Sequence, residues 1–318
     1  MTMMSTRLTR MLNIEYPIIQ AGMSWASSNA ALPAAVSNAG GLGVIAAGPM
    51  YLDAFRDAVR EVKAAVNGKP FGVNLPLYRP EAERFLDVIE EERVPVIFAS
   101  QGGPKAHLAR FQGIGTRWIH VVSTLEHAGK AAAAGVDALV VVGAEAGGHP
   151  PANGVSTLVA VRRAVQAFPS MPIAAGGGVA DGFGVAALLA LGADAVQLGT
   201  RFIATREAGV HDNYKRAVLQ TEIDGTVLVG VRKLPVRMTK NRFADDVLHA
   251  DAHEPDDVAY NALFMSSTLK QAALDGDIER GKVELGQSAG LIDDLPAAAD
   301  VVARIVDEYR TAVGRLTG

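Results

Sequence analysis

"ALVVV" at residues 138–142 runs without a break into "GAEAGGHPP" at 143–151. An apolar, valine-rich run of this length reads as a strand covered on both faces. The strand gives way to a turn: an acid, two adjacent glycines, a histidine and two prolines. Loops that leave a buried strand are where α/β proteins carry binding and catalytic side chains. His149 is therefore a candidate from the outset.

The same strand-and-loop unit recurs along the chain. Similar runs stand at "PIIQA" (17), "GVIAA" (43), "FGVNL" (71), "PVIFA" (95), "RWIHV" (117), "PIAAG" (172) and "AVQLG" (195). Between them lie segments such as "YLDAFRDAVREVKAAV" (51–66), whose apolar spacing suits an amphipathic helix. Eight strands, each followed by a helix-sized segment, predict an α/β fold of the TIM (β/α)8 barrel type. They fit within residues 1–210. Residues 211–285 are more charged and lack clean alternation, which predicts a small, mostly helical subdomain on the substrate side. Residues 286–318 end in a helix expected to pack back on the barrel.

In such a barrel the active site lies at the C-terminal ends of the strands. The first strand leads to Ala21, Gly22 and Met23, and the third carries Asn74. The sixth leads to Gly147, Gly148 and His149, the seventh to Gly176, Gly177 and Gly178, and the eighth to Gln197, Leu198, Gly199 and Thr200. Loops after the seventh and eighth strands are the usual phosphate site of this fold, and glycines there let backbone N–H groups approach an anion. Asn74 both donates and accepts, which suits the edge of a flavin ring. His149 can exchange a proton near neutral pH.

Other residues carry plainer expectations. Glu145 reads as a helix cap or ion pair, and Arg201 as a phosphate contact or an ion pair with a helix. Trp25 reads as pocket lining or an anchor, Trp118 as packing, and Met238 and Met265 as core. Tyr214 is a candidate for the substrate rim. "GLGVIA" (41–46) mimics a dinucleotide fingerprint but precedes a strand instead of joining a strand to a helix. "GDIERGKV" (276–283) mimics a P-loop but has Val283 where a hydroxyl must reach magnesium.

The chain has no cysteine, so disulfides and a catalytic thiol are excluded. A net charge of −4 gives no broad reason to bind nucleic acid or an anionic membrane. The histidines show no metal-ligand spacing, and no metal is expected. Without a signal-peptide pattern or a run of about 18 apolar residues, the chain reads as cytoplasmic.

Taken together, "YPIIQAGMSW", "VSNAGGLGVI", "GKPFGVN", "EAGGH", "AAGGGVADG", "GADAVQLGTRF" and "GQSAGLIDD" resemble the nitronate monooxygenase family, formerly the 2-nitropropane dioxygenases. They are similar as well to the flavin-dependent enoyl-acyl-carrier-protein reductase II enzymes. The resemblance implies FMN, held by Ala21, Gly22, Met23, Asn74, Gly147, Gly148, Gly176, Gly177, Gly178, Gln197, Leu198, Gly199 and Thr200, with His149 as the catalytic residue. It implies oxidation of alkyl nitronates with O2 to a carbonyl compound and nitrite. The alternative is reduction of enoyl thioesters or quinones with NAD(P)H as electron donor. The sequence departs from relatives at Pro76, at the prolines after His149, and at the "HVVST" loop, which lacks the lysine of the quinone reductases. A small-molecule substrate is implied, and a homodimer is left open.

Overall fold

The computed structural model describes residues 4–317. Residues 1–3 and 318, the outer ends of the first and last expected segments, lie outside the described residues. In chain order the elements begin α1 (Arg7–Leu12), β1 (Ile18–Gln20), α2 (Ala31–Asn38), β2 (Val44–Ala46), α3 (Leu52–Ala65), β3 (Gly72–Pro76), α4 (Ala82–Glu91) and β4 (Val96–Ser100). They continue α5 (Leu108–Gln112), β5 (Arg117–Val122), α6 (Leu125–Ala134), β6 (Ala138–Val142), α7 (Thr157–Ala167), β7 (Ile173–Gly176), α8 (Gly182–Ala190), β8 (Ala195–Leu198) and α9 (Thr200–Ile203). The rest are α10 (Asp212–Gln220), β9 (Thr226–Val229), β10 (Val236–Thr239), α11 (Arg242–His253), α12 (Asp257–Met265), α13 (Leu269–Ala273) and α14 (Ala298–Thr317).

All eight expected runs are strands, and β1 to β8 form one parallel sheet in barrel order. Between β1 and β2 the ring closes through an Ile19–Leu42 bridge. Gln20 completes that seam with its side chain. Its amide accepts from Val44 N at 3.0 Å and donates to Val44 O at 3.1 Å, standing in for ladder bonds.

The strands read as unbroken apolar runs because alternate residues enter two different cores. Ile19, Val44, Val96, Phe98, Ile119, Val140 and Ala174 fill the barrel. Ile18, Ile45, Ile97, Trp118, Leu139, Val141 and Ile173 face the helices. On α3 the residues that meet that outer core are Phe55, Val59 and Val62, spaced four and three apart as one helix face requires.

Helix α1 joins the inner core through Leu8 and Leu12 and so plugs the N-terminal mouth. Thr6 caps it and donates to Asp194 O at 2.6 Å. Arg7 grips the Asp194 carboxylate with two bonds, of 2.9 and 2.7 Å. The cavity of the barrel lies at the other end, at the C-terminal ends of the strands.

The last helix packs on α8 and α2, and Gly182 N donates to Glu308 at 2.8 Å. Residues 211–285 hold helices and also an antiparallel hairpin, β9–β10, which the residue pattern does not predict. That hairpin has its own core with α11 and α12, built on Val229, Val236, Met238, Phe243, Val247, Tyr260 and Phe264. Helices α10 and α13 instead contribute Tyr214, Val218, Ala272 and Ala273 to the barrel's outer core.

Met265 is a correction. It is 65% exposed and not part of a core, because α12 turns Tyr260 and Phe264 inward and the next residue outward. Met238 is buried as expected. Among the described residues, no helix is long and apolar enough to cross a membrane.

Candidate active site

A cavity of about 750 Å³ opens at the C-terminal ends of the strands. Phe98, Val121 and Val142, the top of the barrel's filling, make its apolar floor. Every residue of the implied flavin and catalytic set lines this cavity except Leu198, whose side chain is buried in the outer core. Only the Leu198 carbonyl serves the site, accepting Ala21 N at 2.9 Å.

The first wall comes from β1 and β3. Gly22 passes so close to Asn74 that a Cβ there would lie 2.3 Å from the Asn74 Cβ, so no larger residue fits. Met23 is locked by its N–H to Ser27 Oγ at 2.9 Å. Asn74 donates to Phe98 O at 3.0 Å, which fixes the amide and leaves its oxygen as an acceptor. Trp25 lines the cavity from the same loop.

The second wall is a cradle of backbone. Gly177 and Gly178 take φ of +107° and +75°, conformations natural to glycine. Among the described residues, the N–H groups of Gly178, Val179, Gly199 and Thr200 have no protein acceptor. Successive free N–H groups of this kind form an anion-binding concavity. Thr200 Oγ1 accepts Gly286 N at 3.0 Å and keeps its own hydrogen to donate. Among the described residues, Gln197 Oε1 is buried with no partner at the cavity wall. Arg201 takes no part. It is buried against Asp294 at 2.9 Å, so it forms an ion pair and not a phosphate contact.

The third wall carries His149. Glu145 caps α7, accepting Thr157 N and Thr157 Oγ1, each at 2.8 Å, as a cap was expected to do. The two glycines then thread between the barrel and two partners. A Cβ on Gly147 would lie 2.6 Å from Gly286 N, and Gln287 N donates to Glu145 O at 2.9 Å. Gly148 pairs with Arg237 of β10. His149 is exposed to the cavity mouth, with Nδ1 3.1 Å from Pro235 O. A carbonyl only accepts, so that contact puts the hydrogen on Nδ1 and leaves Nε2 as the free nitrogen.

Two other residues at this wall carry no role readable from the sequence. Glu284 and Ser288 line the cavity beside the glycine turn. The signal that could have found Ser288 is the "GQSAG" run at 286–290, whose small residues allow a close approach to the glycine turn. Tyr214 lines the cavity from a buried position, and its hydroxyl donates to Glu284 O at 3.1 Å. Burial holds that phenol well above its usual range.

The look-alike motifs serve packing. A Cβ on Gly43 of "GLGVIA" would meet Pro33 O, which brings α2 against the sheet. Lys282 of "GDIERGKV" is buried with its ammonium 3.8 Å from the Phe264 ring.

The donor set fits a flavin phosphate and ring. Four free backbone N–H groups and the Thr200 hydroxyl supply donors for a phosphate, while Gln197 Oε1 and Asn74 offer acceptors to a ring edge.

The nitronate monooxygenase family model matches residues 5–85 and 81–308. A Mycobacterium tuberculosis protein named (3aS,4S,5R,7aS)-5-hydroxy-7a-methyl-1-oxo-octahydro-1H-indene-4-carboxyl-CoA dehydrogenase is 33% identical, over 95% of each chain. A Pseudomonas aeruginosa nitronate monooxygenase is 34% identical over 96% of this chain and 100% of its own. The solved structure of FabK from Thermotoga maritima is 39% identical over 98% of each chain, with a TM-score of 0.91. This chain is an oxidoreductase and belongs to the nitronate monooxygenase family, a family of flavin-dependent TIM barrels.

Proposed function

We propose that this protein is an FMN-dependent oxidoreductase of acyl thioesters, acting on the Cα–Cβ bond beside the thioester carbonyl, with a nicotinamide nucleotide as the second substrate. The observation that carries the reading is the Glu284 carboxyl in the cavity wall, lying over Gly148, the residue before His149. When ionised, a carboxyl there offsets the positive charge that a nitronate anion would draw on, and a neutral acyl chain needs no such charge. Similarity to the mycobacterial carboxyl-CoA dehydrogenase and to the enoyl-acyl-carrier-protein reductases supports the same class.

FMN would be held by its phosphate at Gly178, Val179, Gly199 and Thr200, and by its ring at Gln197 and Asn74. When bound, it supplies a two-electron hydride donor and acceptor. The chain's own part is positioning and proton transfer. His149 Nε2 takes a proton from the α-carbon in dehydrogenation and returns one in reduction. The apolar floor of Phe98, Val121 and Val142 keeps water from the reacting face.

A second reading, nitronate monooxygenase, is favoured by the name of the matching family and by the Pseudomonas relative. Product analysis separates the two. Incubation with an enoyl-CoA plus NADH or NADPH, followed by mass spectrometry, is expected to show a two-hydrogen gain on the acyl group. Nitrite release from propionate 3-nitronate, without any thioester product, would favour the second reading.

A further inference from the structure

Glu284 differs from the other acids near the cavity in having a fixed backbone and a free carboxyl. Its segment is tied by Thr239 N to Val283 O at 3.0 Å, by Tyr214 Oη to Glu284 O at 3.1 Å, and by Gly286 N to Thr200 Oγ1 at 3.0 Å. Among the described residues, no group donates a hydrogen bond to the carboxyl and no cation pairs with it. It lies instead over the glycine turn. A Cβ on Gly148 would be 3.1 Å from Glu284 Oε2.

The charged and titratable neighbours are otherwise committed. Glu145 caps Thr157. Arg237 gives its Nε to Ala144 O at 3.0 Å. The Tyr214 hydroxyl serves Glu284's own carbonyl, and Lys215 on the same helix donates to Arg206 O at 3.0 Å. Lys282 sits over the Phe264 ring. His149 remains, with Nε2 free.

We propose that Glu284 is a positioning residue for His149: lying over Gly148, the residue before it, in the wall of the same cavity, its carboxyl holds the counter-charge of the imidazole, so the substrate side accepts a neutral acyl chain and exchanges one proton with it. The inference deepens the thioester reading and rests on it for the substrate. Burial holds the Glu284 carboxyl above the usual carboxylate range, while positive charge on His149 and then on Lys282 draws it back down.

The test uses the flavin-loaded protein with Glu284→Gln, Glu284→Asp and His149→Ala variants, checked for fold by circular dichroism and for bound flavin by absorbance. The first readout needs no substrate. Infrared pH-difference spectra of ¹³C-glutamate-labelled protein are expected to show a carboxylic-acid band titrating above the ordinary range. The band should be lost in Glu284→Gln and should move to higher pH in His149→Ala. A band that survives Glu284→Gln, or that does not move in His149→Ala, overturns the proposal.

The second readout is the pH profile of turnover with an enoyl-CoA. Glu284→Gln is expected to lose one limb of the profile and at least about tenfold in kcat with little change in KM, and Glu284→Asp to recover part of both. An unchanged profile also overturns the proposal. If no thioester reacts with any form while the infrared band still answers to His149→Ala, the substrate reading fails and the pairing stands.

Discussion

Gly148 and Arg237 exchange two backbone hydrogen bonds, 3.1 Å from Gly148 N to Arg237 O and 2.7 Å from Arg237 N to Gly148 O. The turn that carries His149 is thereby bridged to β10 of the β9–β10 hairpin, and Pro235 of the same hairpin meets the imidazole at 3.1 Å. The subdomain after the barrel thus sets the position of a side chain that the barrel's sixth strand delivers.

The Arg237 side chain tightens that arrangement through Ala144 O at 3.0 Å and Thr226 Oγ1 at 3.3 Å. Arg237→Ala keeps the backbone bridge but frees both acceptors. Stability should fall by about 1–2 kcal/mol, and kcat should fall while flavin content is kept. Denaturant unfolding and flavin absorbance check the two halves of this expectation.

Thr200 joins the cofactor cradle to the C-terminal segment. Thr200→Val removes the acceptor for buried Gly286 N and the hydroxyl hydrogen that faces the cavity. An unmet buried N–H costs about 1–3 kcal/mol, and the lost donor should weaken flavin binding by about tenfold or more. Fluorescence of flavin released on dilution measures the second effect.

At the opposite end, Asp194 holds α1 in the barrel's lower mouth. Its carboxylate, only 8% exposed, takes Arg7 at 2.7 Å and Ile173 N at 3.0 Å. Asp194→Ala should destabilise the protein by about 3 kcal/mol with little direct effect on flavin chemistry. Urea unfolding followed by circular dichroism tests this.

Glu284 makes a pH prediction of definite sign. Its folded-state pKa is raised by burial, so the folded protein binds this proton more tightly than the unfolded chain. The stabilising effect is fully present below the unfolded carboxylate pKa and is lost as pH rises through the folded value. Glu284→Gln should therefore gain stability over the native protein as pH rises above the ordinary carboxylate range, with the gap closing in acid. Thermal unfolding across pH checks it.

Much of the barrel and its site was legible in the sequence for identifiable reasons. Strands such as "ALVVV" and "PVIFA" are apolar throughout because inner and outer cores take alternate residues. The loops after them are glycine-rich because the chain must turn and approach a ligand there. The hairpin was hidden because Thr226–Val229 and Val236–Thr239 are four residues each, set in a charged stretch around Pro235. Glu284 was hidden for another reason. It lies far along the chain from Gly148, and no periodicity links positions that meet only through the closed fold. Leu198 looked like a loop residue by adjacency to Gly199, but strand alternation turns its side chain outward.

The most direct test of the thioester reading is anaerobic stopped-flow absorbance of the yellow, flavin-loaded protein. It would be mixed separately with NADH, NADPH and propionate 3-nitronate, and the reduced protein then with an enoyl-CoA. Rapid bleaching by one nicotinamide nucleotide, recovery of colour with the enoyl-CoA, and no bleaching by the nitronate are expected. Bleaching by the nitronate alone, with no response to either nucleotide, would contradict the thioester reading.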